Sequence, residues 1–553
     1  MKIRDIRTLP AGTVVDTDLA LIGSGPSGMT IAREFAGSHT DVLILESGGI
    51  ELDPAIQKLN AVENIGEPGL RKNSPPPHRG YTGEYEWLND IQAFELRNRI
   101  LGGSSHTWVG KCAAFDEMDY ACRPWIPQSG WPISGKELAP YVDRAGNILN
   151  LGPNIYDERL RKFLHSPPED SKFDPALLRP FFWQFSYSRG SAKQPMRFAA
   201  EYGHLDAPNV QILTYATVTE IRTDDMAGHI ISLEARSADG SRVIVRPRLL
   251  VLCAGGIENA RLLLASDRQN PQGIGNGHDV VGRYLADHPR TVLGYFPEDP
   301  AGMIQERFGF YGLVGSEKLH YYLHGLALSP RLQEEEGLLN CAAFVAKTHA
   351  QDDPWSALRR LAHRSSKSAL NDIMAIASSP GMLTRGAYSR LVKKRGVLHK
   401  FDQMRIECMS EQRPDPDSRV SLSAKRDKLG VRQARVDWRI SAQEIASAAR
   451  LARTISSEFA RIGLPRPNLA DWIAADAPEN ANFSDMAHPA GTTRMGRSPE
   501  TSVVDENAKV HGVEGLYIAG SSVFPTPGHA NPTLMVVALA VRLADHLKSR
   551  LGQ

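Results

Sequence analysis

Cysteines and long apolar runs are scarce in this sequence, and their scarcity excludes several classes of protein. The cysteines are Cys112, Cys122, Cys253, Cys341 and Cys408. Their odd number and scattered spacing, without a CxxC pair, disfavour a disulfide framework or a zinc site and indicate reduced thiols in a cytoplasmic protein. No apolar stretch approaches the ~20 residues that span a bilayer. The N-terminus, residues 1–7, lacks the apolar core of a signal peptide.

Net charge is equally small. The 553 residues contain 64 Lys or Arg and 63 Asp or Glu, a balance of +1 that gives no pull toward nucleic acid. The length predicts two or more domains. One stretch departs from the balance, because residues 359–400 hold ten Lys or Arg and a single acid, Asp372. Its apolar spacing predicts a basic helical insertion at about 355–400, which is a solvated face, a lid, or a site for an acidic or membrane-surface partner.

The N-terminal motif is a glycine-rich turn between an apolar strand and a helix. Residues 19–22 predict a buried parallel strand, the sequence Gly-Ser-Gly-Pro-Ser-Gly follows at 23–28, and residues 29–35 have helical character. The first glycine permits a tight turn, the second lets backbone approach a pyrophosphate, and the third lets helix pack on strand. An acid ends the next apolar strand, 42–45, where a carboxylate binds ribose hydroxyls. The predicted dinucleotide contacts are Gly23, Gly25, Ser27, Gly28 and Glu46.

Other glycine-rich segments predict further contacts to the same cofactor. The loop at 101–105 contains two glycines and two serines, which suit backbone curled under a phosphate or a flavin edge. Residues 248–264 and 516–521 each predict a strand and a glycine turn, and ligands bind at the carboxyl edge of such sheets. Strands are also predicted at 209–213 and 217–222; the second is either ordinary sheet or an adenine contact. The predicted contacts are Leu101, Gly102, Gly103, Ser104, Val218, Ala254, Gly255, Gly520, Ser521, Pro532 and Thr533.

The C-terminal residues point to alcohol chemistry at a flavin. His488 and Asn531 each lie beside glycine-rich backbone, and Asn531 precedes an apolar helix predicted at 533–547. Oxidation of a CH–OH group requires removal of the hydroxyl proton, and a neutral imidazole of ordinary pKa ~6.5 suits this task. The amide of Asn531 then holds the alkoxide oxygen, or alternatively caps the helix. The helix N-terminus would stabilise an anionic reduced flavin by ~0.3–2 kcal/mol.

Taken together, these motifs resemble one family. The glycine turn at 23–28, the segments 101–105, 254–259 and 281–288, and the C-terminal motifs are similar to those of the glucose–methanol–choline (GMC) oxidoreductases. Within that family, the sequence His-x-x-Gly-Thr-x-Arg-Met-Gly at 488–496 and Ala-Asn-Pro-Thr-Leu at 530–534 look most like the pyranose oxidase and glycoside 3-oxidase branch. The resemblance is specific in the nucleotide-binding segments and thin over 296–405.

The resemblance implies an α/β fold of the p-hydroxybenzoate-hydroxylase type, bound FAD, and oxidation of a primary or secondary alcohol. We expect a Rossmann-like FAD-binding domain at 1–120, 205–295 and 480–553. A substrate-binding domain with a mixed or antiparallel sheet is expected at 121–204 and 296–479. In the branch, the histidine that matches His488 serves as base or orienter, and the asparagine that matches Asn531 pairs with it.

Three other histidines have separate expectations. In pyranose oxidases a histidine of the glycine loop can bond covalently to the flavin. Aligning both glycines and the following tryptophan places Thr107, not His106, on that position, so we predict non-covalent FAD. His529 either faces the active-site cavity or is structural. His288 is expected to order backbone near the cofactor.

The sequence therefore predicts an FAD-dependent alcohol oxidoreductase that acts on a sugar or glycoside hydroxyl. Oxygen, a quinone or a protein is the electron acceptor, and monomer and oligomer are both compatible with the sequence. Residues 411–413 precede a predicted turn and lie near the same cavity in one interpretation. The alternatives are a same-fold lyase with structural FAD, a non-sugar alcohol dehydrogenase, and a nicotinamide dehydrogenase. The strand at 515–521 disfavours the last of these.

Overall fold

The computed structural model describes residues 1–66, 97–167, 172–313 and 319–552, and two eight-stranded sheets organise this part of the chain. The strands are β1 (Lys2–Asp5), β2 (Val14–Ile22), β3 (Val42–Leu45), β4 (Val62–Asn64), β5 (Lys111–Cys112), β6 (Leu178–Phe185), β7 (Tyr187–Ser188), β8 (Ser191–Pro195), β9 (Val210–Thr214), β10 (Thr217–Thr223), β11 (Ile230–Arg236), β12 (Arg242–Leu252), β13 (Arg290–Phe296), β14 (Phe310–Gly312), β15 (Tyr321–Leu328), β16 (Cys341–His349), β17 (Phe401–Ser410), β18 (Arg419–Arg426), β19 (Arg432–Asp437), β20 (Asn468–Leu469) and β21 (Leu516–Ile518). The helices are α1 (Pro26–Glu34), α2 (Pro54–Gln57), α3 (Glu117–Tyr120), α4 (Gly135–Ile148), α5 (Phe198–Tyr202), α6 (Gly255–Ala265), α7 (Met303–Arg307), α8 (Pro330–Glu336), α9 (Pro354–Ala362), α10 (Ala369–Ala377), α11 (Pro380–Leu391), α12 (Ala442–Arg461), α13 (Asp471–Ala474) and α14 (Thr533–Leu551).

The first sheet has the order β1-β9-β3-β2-β12-β11-β10, with β21 paired to β12. Its centre is parallel, as predicted for the apolar strands around the glycine turn. β2 begins at Val14 rather than at residue 19, because residues 14–17 continue the parallel pairing with β12. Against this sheet α1 packs beside α14 and α5, while α6 contacts β10 and the small sheet β18-β19-β4. The N-terminal, middle and C-terminal segments therefore share one core.

The second sheet has the order β20-β13-β17-β16-β15-β6-β5, with β14 paired to β15, and its pairs are antiparallel. The long helix α12 covers β13, β16 and β17 and closes a second apolar core. This architecture confirms the predicted α/β class with an antiparallel substrate-side sheet. β5 and most of β13 lie within the sequence ranges predicted for the FAD-binding domain, yet both strands belong to this second sheet. The domain boundaries proposed at 120 and 295 stay a prediction.

The predicted basic segment is helical and consists of α9, α10 and α11, which connect β16 to β17. The five cysteines are all free, and four of them are buried. Within the described residues, no helix combines the length and the apolar character needed to cross a membrane.

Candidate active site

The glycine turn after β2 has the geometry that its three glycines require. Gly23 has φ +105°, and a Cβ there would lie 2.8 Å from the carbonyl oxygen of Cys253. A Cβ on Gly28 would lie 2.0 Å from the carbonyl oxygen of Gly23, so the start of α1 packs directly on the turn. By contrast, a Cβ on Gly25 would meet no described heavy atom within 4 Å. The turn thus leaves open space above its second glycine.

The loop at 101–106 lies against this turn. Gly102 has φ +91°, and its N–H donates to Ser24 Oγ at 3.0 Å. A Cβ on Gly103 would lie 2.9 Å from the Cα of Gly25, so the two backbones touch. Glu46, at the end of β3, accepts from the N–H of Ser24 at 3.0 Å and from its Oγ at 2.5 Å. Burial raises the pKa of this carboxyl. The structure therefore brings together the first two predicted cofactor segments.

A second junction joins the start of α6 to the C-terminal segments. A Cβ on Gly256 would lie 2.1 Å from the carbonyl oxygen of Pro489, so only glycine permits this approach. Ser521 Oγ donates to the same carbonyl at 2.7 Å. The N–H of Ala254 donates to Asn259 Oδ1 at 2.8 Å and fixes the turn between β12 and α6. These contacts hold the residues that follow His488 against the nucleotide-binding sheet.

The ring of His488 is paired with the ring of His288. Their Nδ1 atoms lie 3.1 Å apart, and His288 Nε2 lies 3.2 Å from the carbonyl oxygen of Pro527. Because a carbonyl only accepts, His288 Nε2 carries a proton, and burial lowers the pKa of this ring to about 4. Neutral His288 therefore accepts at Nδ1, so His488 Nδ1 is the donor. This leaves an unprotonated lone pair on His488 Nε2.

Burial also keeps His488 neutral. Loss of solvation, together with His288 and the charge of Lys111, holds its pKa well below the ordinary value. Among the described residues, none hydrogen-bonds to His488 Nε2. The ring can accept a proton at this nitrogen, as the predicted base must.

The buried carboxyl group of Asp287 positions the backbone around this pair. Asp287 accepts from the N–H groups of His288 at 2.6 Å, Met486 at 2.8 Å and His488 at 2.7 Å. Ala487, between the last two donors, has φ +57°, a conformation that is uncommon for a residue with a side chain. Three backbone hydrogen bonds to one carboxyl group hold this turn in place.

Residues 411–413 contact the backbone that positions the histidine pair. Gln412 Oε1 accepts from the N–H of Asp287 at 2.8 Å and from Trp438 Nε1 at 2.8 Å. Glu411 is fully buried and forms a two-pronged ion pair with Arg123. The segment therefore contacts the residues that position the histidine pair.

Asn531 and His529 place polar atoms in the protein interior that no described residue hydrogen-bonds, although His529 Nδ1 lies 3.9 Å from Asp116 Oδ2. Asn531 is 6% exposed and its Oδ1 has no hydrogen-bond partner among the described residues, and the same holds for both ring nitrogens of His529. No side chain caps α14, whose N-cap residue is Pro532, so the capping interpretation of Asn531 is wrong. Leaving such groups unpaired costs about 1–3 kcal/mol each, which a bound hydroxyl would offset. Burial lowers the pKa of His529 to about 3.

Lys111 is the functional candidate that the sequence did not reveal. Its Nζ lies 4.1 Å from the ring centre of Trp183 and 4.0 Å from that of Phe344, on one face of the second sheet. Within the described residues it makes no ion pair, and burial lowers its pKa to about 7, with Arg290 contributing. Its charge also lowers the pKa values of His488 and His529. The sequence marks this residue only as a single lysine between Gly110 and an apolar run.

Two models of the GMC oxidoreductase family match the chain, over residues 189–290 and 414–540. The first range contains the turn into α6 and His288, and the second contains His488 and Asn531. The chain belongs to the GMC oxidoreductase family. Membership confirms the predicted family and the predicted class of enzyme, an oxidoreductase that acts on CH–OH groups.

Relatives span the whole chain at low identity. The 6'''-hydroxyparomomycin C oxidase of Streptomyces lividus is 24% identical over 97% of this chain and 92% of its own. The fructose dehydrogenase large subunit of Gluconobacter japonicus is 25% identical over 98% and 99%. The solved structure of pyridoxine 4-oxidase from Mesorbium loti has a TM-score of 0.54 and 17% identity over 96% and 99%. This GMC oxidoreductase therefore has the FAD-binding and substrate-domain fold.

FAD is the cofactor that membership implies, and the residues present fit it. The open space at Gly25 adjoins the start of α1, where free N–H groups and the helix dipole favour a pyrophosphate. The unpartnered Oδ1 of Asn531, which directly precedes the N-cap residue of α14, offers a polar atom to a ligand. All of the individual cofactor contacts predicted from the sequence stay predictions, including those of Ser27, Val218 and Thr533.

Proposed function

We propose that this GMC oxidoreductase oxidises a sugar or glycoside hydroxyl, with His488 as the base. The observation that supports this proposal is the hydrogen-bond chain from Pro527 through His288 to His488, which leaves the Nε2 lone pair of His488 unprotonated. The substrate hydroxyl donates to this lone pair and transfers its proton to it. Bound FAD supplies the acceptor for the hydride that leaves the carbon bearing this hydroxyl.

The other residues position the substrate oxygen. The amide of Asn531 donates from Nδ2–H to that oxygen as negative charge develops on it, while its buried, unpartnered Oδ1 accepts from another hydroxyl of the substrate. Phe344 lies beside Lys111, packs edge-on against the buried Trp183 and is itself only half-buried, so its ring offers an apolar face for a pyranose. A sugar or aminoglycoside substrate is also the chemistry named for two relatives, the hydroxyparomomycin oxidase and the fructose dehydrogenase subunit.

We further propose that FAD is bound without a covalent bond and that the protein is cytoplasmic. His106 Nε2 donates to the carbonyl oxygen of Leu101 at 2.9 Å, which occupies that nitrogen. Thr107, at the aligned position, offers a hydroxyl that donates to the carbonyl oxygen of Ser104 at 3.2 Å. The five unpaired cysteines support a reducing compartment. Oxygen, a quinone or a protein accepts the electrons.

The test is anaerobic reduction of the flavin by a panel of pyranoses and glycosides. We expect bleaching of the oxidised-flavin band with at least one sugar. His488→Ala should keep its FAD and lose about 10²–10⁴-fold in the rate of bleaching. His278→Ala, which changes an exposed histidine, is the matched control. Bleaching only by non-sugar alcohols would support the alternative substrate class, and a flavin that no alcohol bleaches would support the lyase.

A further inference from the structure

The connection between β16 and β17 presents an apolar helix face to solvent. Along α10, the side chains of Leu370, Ile373 and Met374 are 68%, 54% and 61% exposed. With Ala377, also exposed, they occupy positions i, i+3, i+4 and i+7 of one helical stripe. A surface helix of a globular protein normally turns such a stripe inward, whereas here the stripe faces outward.

The neighbouring helices extend this surface. Leu358 of α9, and Tyr388 and Leu391 of α11, are large apolar side chains that are 44%, 54% and 69% exposed. Val392, just after α11, is also exposed. Both helices contact α10, and clustered exposed apolar side chains of this kind mark an interaction site.

Several cations of this segment lack acidic partners among the described residues. The only acid between residues 359 and 400, Asp372, is buried in an ion pair with Arg360. Arg359, Arg364, Lys367 and Lys394 form no ion pair with any residue that the structure describes. The outward charge of the segment is therefore positive.

The base of the segment is fastened to the second sheet. His399, just before β17, stacks on His349 at the end of β16 with ring centres 3.8 Å apart. Asp353 caps α9 and accepts from the ring of His399 at 2.9 Å. The helices thus emerge from fixed ends. They also lie between the two ranges that the family models match, 189–290 and 414–540.

We infer that α9–α11 form a docking surface for an anionic lipid bilayer. Amphipathic helices bind a bilayer interface when apolar side chains enter the acyl boundary and flanking Lys or Arg contact anionic headgroups. Leu370, Ile373 and Met374 supply the first group, and Arg364 and Lys367, directly before α10, supply the second. Charge complementarity favours this partner, because an anionic surface complements the positive charge of the unpaired cations.

The test is co-sedimentation of the FAD-loaded protein with vesicles. We expect binding to vesicles of phosphatidylglycerol and phosphatidylcholine, no binding to pure phosphatidylcholine, and weakening as salt rises. The triple variant L370N/I373N/M374N and the double variant R364A/K367A should each lose about tenfold or more in affinity. The matched controls are M226N/I231N, which alters exposed apolar residues elsewhere, and K136A/K428A, which removes exposed cations elsewhere.

Three results would overturn the inference. The first is equal binding to neutral vesicles, and the second is unchanged binding of the two α10 variants. The third is a dimer that the triple variant dissociates without any vesicle binding by the wild type, which would assign the surface to a second copy of the chain. Flavin absorbance and the thermal midpoint of each variant should match the wild type, because the changed side chains are exposed.

Discussion

His288 Nδ1 lies 3.1 Å from His488 Nδ1, and the far nitrogen of His288 bonds to the carbonyl oxygen of Pro527. This relationship sets the tautomer of both rings. His288 therefore acts through His488 and is a positioning residue. The sequence interpretation gave His288 a role in ordering backbone, whereas the structure gives its side chain a direct contact with the predicted base.

The first prediction concerns this contact. His288→Leu removes the acceptor at Nδ1, so the His488 ring loses its fixed tautomer and orientation. We expect about 10–100-fold slower flavin reduction at saturating substrate, with FAD retained. His288→Asn restores an acceptor oxygen near the same place and should recover part of the rate. Stopped-flow absorbance measures both variants, and equal rates for the leucine and asparagine variants would refute the positioning role.

The second prediction concerns Lys111 and pH. Burial lowers its pKa to about 7, and its charge lowers the pKa of His488. Lys111→Met removes that charge, so the pKa of His488 rises and the acid limb of the flavin-reduction rate moves to higher pH. Lys111→Arg keeps the charge and should leave the limb in place.

The measurement is the limiting rate of flavin reduction across pH 4–9 (a range of about two units either side of ordinary imidazole titration). Saturating sugar separates this effect from any loss of substrate affinity. Superimposable pH profiles for the wild type and the methionine variant would contradict the proposed coupling between Lys111 and His488.

Sequence patterns could predict the nucleotide half of the site because its requirements are local. Gly23 and Gly28 need their small size within one turn, and the apolar runs around them define the strands. The substrate side depends on long-range register instead. Lys111 reaches Trp183 and Phe344 only because β5 pairs with β6 and the sheet places all three on one face. No spacing along the chain encodes that juxtaposition, nor the pairing of His288 with His488.

The third prediction concerns the attachment of the flavin. Precipitation of the protein with acid should leave all of the FAD in the supernatant, because His106 Nε2 is occupied by the carbonyl oxygen of Leu101. Absorbance of the supernatant and of the redissolved pellet measures the partition. Flavin in the wild-type pellet, and its release by His106→Ala, would show instead that the histidine forms the covalent bond.

The last prediction separates cofactor binding from folding at the glycine turn. Gly25→Ala places a Cβ in open space, so the apoprotein should fold normally, yet FAD should bind at least about tenfold more weakly, or about 1.4 kcal/mol, because the methyl group occupies the approach to the pyrophosphate. Gly28→Ala places its Cβ 2.0 Å from the carbonyl oxygen of Gly23 and should cost about 1–3 kcal/mol of stability. Gly277→Ala, at an exposed glycine with equally open surroundings, should change neither quantity. Titration of the apoproteins with FAD and thermal unfolding distinguish the three. Wild-type affinity for FAD in the Gly25 variant would contradict the placement of the pyrophosphate at this turn, whatever the other two variants show.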